Sequence, residues 1–520
     1  MIQSDRVGPG RQMRRSAGQG SVEPSRLHRS AVRRGPWWSH SLVVGSVVLV
    51  LYLVAAAVAY AHAWVHPSSV TALFGGSDPA QTIWYLRWVP YALQHGHNPL
   101  FTTVGNYPIG VNLMAQTSVL ALGFVLSPVT VVFGPVASLN LALTLAFALS
   151  AGAGYLLCRR LVSWRPAAFV GGLLYGFSPY MVGQGVGHLN LVFVPLPALI
   201  FLALYEIVID QKGSAVWWGA LLALMVVVQF FVSTEVLATT AMFALLAFVA
   251  VMLVAAVGWR DALASHASHA ALAVAVALLL AGAALAYPLY MLVAGPQHIQ
   301  GSIAGYIDYF AVLSGPLVPT SLMLVGTAHL KRLGDEIAGG NQVENGTYLG
   351  VPLLLVFAVA VVLVRKAAVR MLAFMAALAF VLSLGVTFHG GPGDIRPGTT
   401  MPANWIYKIP LLNQAFPIRY SLYVSLFVAI VLALGLDALH WWLAARYAEG
   451  RRARVLPNVL PALVAAFALF PLIPAWPYPR QGPIEVPPYF TSSAIEAVPA
   501  GSVAVVYPIA DGVDTRAQLW

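Results

Sequence analysis

Three side chains in this sequence are of kinds that move protons, and each stands where a long apolar run breaks. Asp78 lies in "LFGGSDPAQTIWYLRWVPYALQHGHNPL", His188 in "GQGVGHLNL" and Glu235 in "FFVSTEVL". A carboxylate beside apolar surface can take a proton from a hydroxyl, and an imidazole can share it. An acid such as Glu235 at the edge of hydrocarbon is costly unless it is paired or functional. Arg419 in "FPIRYS" carries a permanent charge on a planar fork suited to a phosphate. Arg87, and Lys408 in "NWIYKIP", are further cations. Each group also has a plainer reading. Asp78 before Pro79 fits a helix N-cap; Glu235 with Ser233 and Thr234 could cap a helix; Arg419 could snorkel to an interface; His188 could be a satisfied turn residue.

The elements that position these groups follow from composition. Of 520 residues, 59% are hydrophobic and 9% charged, and the mean hydropathy is +0.78, so lipid must solvate most of the chain. Apolar runs recur at the length a helix needs to cross about 30 Å of hydrocarbon, and they lack the period-two alternation of a barrel wall. The reading is an all-α polytopic membrane protein with about twelve spans, at 42–64, 113–133, 136–158, 166–182, 189–208, 216–232, 236–257, 271–294, 348–364, 370–387, 421–443 and 457–475.

The formal charge of +10 reports topology rather than a nucleic-acid groove. Arginines from Arg6 to Arg34 precede the first span, and Arg159, Arg160, Arg165, Lys212, Arg260, Arg365, Lys366, Arg370, Arg446, Arg451, Arg452 and Arg454 recur in every second loop. The positive-inside rule then expects a cytoplasmic N-terminus in a multi-pass inner (plasma) membrane protein, with membrane lipids as contacts and no nucleic acid. Residues 1–38 read as a disordered basic cytoplasmic tail and 39–475 as the transmembrane core. Residues 476–520 read as an extracytoplasmic segment with a strand near "GSVAVVYPIADG", and the chain is expected to be truncated or minimal there.

Loops on the site-bearing face are long, at 65–112, 295–347 and 388–420, whereas opposite connections such as "DQKGS" are short. Long loops kept on one face usually build something. In the first of them, Ala80, Trp84, Trp88 and Tyr91 recur at helical spacing, which predicts an interfacial helix with its indole rings at headgroup depth. Breakers inside spans, as in "LLYGFSPYMVGQ", predict irregular helices packed around a cavity. No GxxxxGK[ST] loop or HExxH helix occurs. His62 with His66, and His95 with His97, are two pairs that nothing in the sequence brings together, so no metal site is assigned and a divalent cation has no support.

A first span, a long outer loop with an early acid, an interfacial helix and about ten further spans resemble the GT-C class of membrane glycosyltransferases. "PIGVNL", "LLYGFSPYMVGQGVGHLNL" and "FPIRYSLYVSL" are similar to multi-spanning actinobacterial proteins of that class. The resemblance covers the spanning core. It implies an inverting transferase that moves a sugar from a polyprenyl-phosphate donor to a cell-envelope glycan or glycolipid on the extracytoplasmic face. Asp78 would be the base, with Glu235 and His188 beside it, Arg419, Arg87 or Lys408 on the phosphate, and Trp84 and Trp88 at the substrate. Most members of the class place two acids in or near the first outer loop; this loop offers Asp78 alone, and Glu235 is the candidate for the second. A transporter or flippase of lipid-linked glycans, and a non-catalytic envelope-assembly protein, are the competing readings.

Overall fold

A computed structural model describes residues 41–71, 78–256, 260–301, 309–389, 399–447, 450–479, 487–505 and 507. The basic tail of 1–38, residues 72–77 of the first long loop and the last thirteen residues lie outside the described residues. The chain divides into two units, Met1–Ser46 and Val47–Trp520. The described part of the first is the opening of the helix Ser41–Ala59, and everything below concerns the second.

Among the described residues, eight helices are long and apolar enough to cross a membrane, including Pro135–Leu161, Leu189–Asp210, Ala215–Val232, Thr234–Leu253, Ala267–Val293 and Pro417–Arg446. Two shorter apolar helices, Val351–Leu363 and Ala367–Ser383, join them. The Pro417–Arg446 segment is the central element, with 83% of its apolar window buried. Peripheral helices keep wide apolar faces uncovered, with Leu278, Leu279, Val362 and Leu363 at 70–72% exposure. Exposed leucine and valine in continuous bands fit a hydrocarbon surround. The β-structure described is a two-residue ribbon, Phe101–Thr102 against Val111–Asn112, and no strand forms over 501–505.

The structure differs from the twelve-span reading at two places. Residues 113–133 form a 3-10 turn and two short helices, Leu120–Val125 and Ser127–Phe133, that pack on the helix Asp78–His95. Neither spans 30 Å at about 1.5 Å per residue; Pro128 and Gly134 punctuate a run that apolar content alone counts as a crossing. With that crossing removed, the loops that carry Arg159, Lys212, Arg365 and Arg446 still fall an even number of crossings apart, on one side of the bundle. The run 166–182 is likewise broken into Arg165–Gly176 and Pro179–Gln184. Ser178 accepts a hydrogen bond from the Met181 amide at the break, which starts the second piece as an N-cap does.

At the end of the bundle remote from Asp78, charges are tied to backbone and to each other. Asp437 accepts from the Ser163 and Trp164 amides at 3.0 and 2.7 Å. Arg160 bridges Glu206 and Asp210, the two ends of a π-helical turn. These bonds staple the short loops, so their acids are structural.

Candidate functional site

Five of the sequence's chemistry-bearing groups meet where several helices end on the opposite side. Asp78 is the first residue of the helix Asp78–His95, His188 precedes the short helix Leu189–Val192, Glu235 lies in the first turn of Thr234–Ala256, and Arg419 in the 3-10 turn that leads into Ser421–Arg446. The fifth, Glu344, comes from the loop before Val351–Leu363.

Asp78 Oδ2 stands 3.0 Å from His188 Nε2. The other ring nitrogen, Nδ1, is 2.5 Å from Gln184 Oε1. Gln184 Nε2 donates to Glu344 Oε2 at 3.0 Å. Arg419 then donates from Nε to Glu344 Oε2 at 3.0 Å and from Nη2 to Oε1 at 2.5 Å. Its Nη1 reaches both oxygens of Glu235, at 3.0 and 2.8 Å. The result is one connected chain, Asp78–His188–Gln184–Glu344–Arg419–Glu235. Asp78 is its most exposed member: the Asp78 side chain is 54% exposed, against 15% for His188, 3% for Glu344, 12% for Arg419 and 14% for Glu235. Asp78 is the end that solvent reaches.

The glycines of "GQGVG" build this convergence by leaving room rather than by bending backbone. A Cβ on Gly183 would stand 2.5 Å from the Val343 carbonyl, so its absence lets the Glu344 loop close on Gln184. A Cβ on Gly187 would stand 2.5 Å from Pro79 Cγ, so its absence lets the start of the Asp78 helix reach His188. The space these glycines leave is filled by the protein itself. Gly187→Ala is expected to push Pro79 away and cut any activity of the Asp78–His188 pair by about 10²-fold, with thermal unfolding nearly unchanged. Parallel assays and melting curves of this variant check it.

Electrostatics follow from burial. Burial by itself would raise the Glu344 carboxyl, but the Arg419 charge and hydrogen bonds, His188 and the Gln184 amide outweigh it and hold the group below its ordinary value of 4.5. Glu344 therefore stays ionised. Its stabilising contribution is present above the ordinary value and is lost as pH falls through the lowered one. Arg419 also stacks over the Phe416 ring at 4.3 Å, which orients the guanidinium plane.

Glu235 also borders a cavity of about 40 Å³ whose polar lining includes Gln116, Thr117, Asn190 and Thr234, beside Phe230 and Phe231, with room for about three waters. Val119 in its wall has φ 43°, a strained setting for a β-branched residue that costs on the order of 1–3 kcal/mol.

Other sequence-predicted residues stand elsewhere. Trp84 and Trp88 stack with centroids 5.7 Å apart and planes at 3°, and Trp88 donates from Nε1 to the Pro99 carbonyl at 3.1 Å. Both belong to the inner packing of the helix Asp78–His95. Arg87 is exposed, and nine residues at about 100° each put it on the face opposite Asp78. Lys408 is exposed in the loop after Ala403–Ile406. The His95 ring packs on Tyr91 at 4.2 Å and on His97 at 6.2 Å. Among the described residues, no group of three or more His, Cys, Asp or Glu is arranged around a metal ion. Gln184 and Glu344 were not singled out as site residues from sequence. The one signal for Gln184 was its place in the glycine-rich turn, and for Glu344 its place in the acidic stretch 331–346.

A family model described as a domain of unknown function, DUF6311, matches residues 49–391. The chain belongs to that family. The DUF6311 match contains Asp78, Gln184, His188, Glu235 and Glu344, and Arg419 lies beyond its end. No curated protein matches. Among solved structures, the chain is similar to ArnT from Cupriavidus metallidurans bound to undecaprenyl phosphate, at 12% identity and a TM-score of 0.41, over 84% of this chain and 71% of that one.

Proposed function

We propose that this protein is a membrane glycosyltransferase that moves a sugar from a polyprenyl-phosphate donor to a cell-envelope glycan or glycolipid on the extracytoplasmic face. The observation that carries the reading is the half-exposed Asp78 carboxylate, held 3.0 Å from an imidazole at a helix start. Such a pair can remove a hydroxyl proton. A phosphate leaves as a stable anion and needs no second proton donor, unlike the alkoxide leaving group of a glycosidase. One base facing the acceptor therefore suffices, and direct displacement inverts the anomeric centre. A lipid phosphate also belongs at the depth where these helices end.

The role of Arg419 is refined by its contacts. With Glu344 and Glu235 on its guanidinium, it acts as the internal counter-charge that holds the site together, and the donor phosphate needs a freer cation. Lys408 is our candidate, because the short turn Leu412–Gln414 that follows it packs on the Glu235 helix. Lys408→Ala is expected to raise the donor KM about tenfold, as loss of a single charge contact of 1.5 kcal/mol or so would, with kcat little changed; an unaltered donor KM would remove Lys408 from the site. The function itself is tested by reconstituting the full chain in lipid vesicles with polyprenyl-phosphate sugars and glycan acceptors. Sugar transfer supports it, and donor movement across the bilayer without transfer would replace it with the flippase reading.

A further inference from the structure

The hydrogen-bond chain behind Asp78 determines where a proton taken by that carboxylate can go. Glu344 has two partners that can only donate toward it, Arg419 Nε at 3.0 Å and Arg419 Nη2 at 2.5 Å. An ionised carboxylate only accepts, so the Gln184 group that faces it at 3.0 Å must be the amide nitrogen. That choice turns Gln184 Oε1 toward His188 Nδ1 at 2.5 Å. An amide oxygen only accepts, so Nδ1 must carry the ring proton. Which imidazole nitrogen is protonated is set by the hydrogen bond the other one makes. In the neutral ring Nε2 is then a bare lone pair, and it faces Asp78 Oδ2 at 3.0 Å. Two lone pairs at that separation repel unless a proton lies between them, so the pair offers one proton site.

We infer that His188 is the final holder of the proton removed by Asp78, and that Gln184 and Glu344 are positioning residues which keep its Nε2 free to receive it. This rests on the transferase reading for the source of the proton, while the state of the ring can be measured without it. In the reaction, the acceptor O–H bond breaks and its electron pair forms the new bond to the anomeric carbon. The anomeric C–O bond to phosphate breaks, and its pair leaves with the polyprenyl phosphate. The proton passes to the Asp78 carboxyl, and rotation of that carboxyl delivers it to His188 Nε2. The product state is a carboxylate beside an imidazolium. The groups that face the ring are Asp78 from the interfacial helix, Gln184 from its own turn and the Glu344 carboxylate 4.0 Å from Nδ1, with Arg419 and Glu235 behind. A site already holding its proton cannot accept another, so the transfer rate rises with pH as the pair empties and then levels.

The test uses the full chain in lipid nanodiscs, labelled with ¹⁵N-histidine, the His188 signals being identified by their loss in His188→Asn. Nδ1 is expected to stay protonated throughout while Nε2 titrates, and in Gln184→Leu the neutral ring proton is expected to move to Nε2. In kinetics, Gln184→Leu should lose about 10²-fold in kcat with KM unchanged and a flattened rise with pH. A neutral wild-type His188 with its proton on Nε2 would overturn the inference, as would retention of the proton on Nδ1 in Gln184→Leu, or a variant changed in KM alone. Should Gln184→Leu not fold, the wild-type spectrum alone decides. Absence of sugar transfer with Nδ1 protonated would defeat the transferase reading and leave the locked ring standing.

Discussion

Asp78→Asn protein, reconstituted in lipid, is expected to lose sugar transfer by about 10²–10⁴-fold, the range spanned by removal of a positioned general base, with kcat rather than KM carrying the loss. The amide has nearly the carboxylate's shape and can still start the helix, so folding should be intact. Asp78 is half exposed, which leaves little packing energy at stake. Because the amide can donate to His188 Nε2, the contact survives while the basicity goes. Initial rates at several donor and acceptor concentrations, with a melting curve of the same sample, check this. Wild-type rates in the variant would remove Asp78 from the chemistry.

The second large effect is on stability. Arg419→Met should destabilise the protein by about 3–5 kcal/mol, the cost of stripping one partner from a buried ion pair. Arg419 is the shared counter-charge of Glu235 and Glu344, and the three side chains are 12%, 14% and 3% exposed. Removing it leaves two carboxylates facing each other without compensation in a poorly solvated region. Triple replacement of both acids together with the arginine, Glu235→Gln, Glu344→Gln and Arg419→Met, is expected to recover part of the loss, because no uncompensated charge remains. Equilibrium unfolding in a mixed detergent and denaturant series measures both. An Arg419→Met protein as stable as wild type would mean that the guanidinium is not the site's counter-charge.

Much of this architecture is legible in the sequence because hydrocarbon imposes a simple rule. A segment that crosses must be long, apolar and helical, and charges must gather where it ends. Apolar run length therefore located the long helices. The spacing of Trp84, Trp88 and Tyr91 located the helix Asp78–His95, and interruption of apolar runs picked out Asp78, His188 and Glu235. Run length misleads where it meets local breakers. The 113–133 stretch is apolar enough to cross, yet Pro128 and Gly134 and packing on the Asp78 helix divide it into pieces too short to do so.

What the sequence by itself determined was the solvent of the chain, the places where its helices end and the ionisable groups stationed there, since each depends on residues that are neighbours along the chain. Only the tertiary structure decided how those groups are partnered. Gln184 lies 160 residues from Glu344, and Arg419 lies 184 from Glu235. The missing Cβ at Gly183 lets the Glu344 loop touch the Gln184 turn, and the one at Gly187 lets the Asp78 helix touch His188; close approach is a property of packed surfaces rather than of any local pattern. Arg419 is therefore an inward counter-charge rather than a free cation: a guanidinium expresses its charge toward whatever the fold has placed against it.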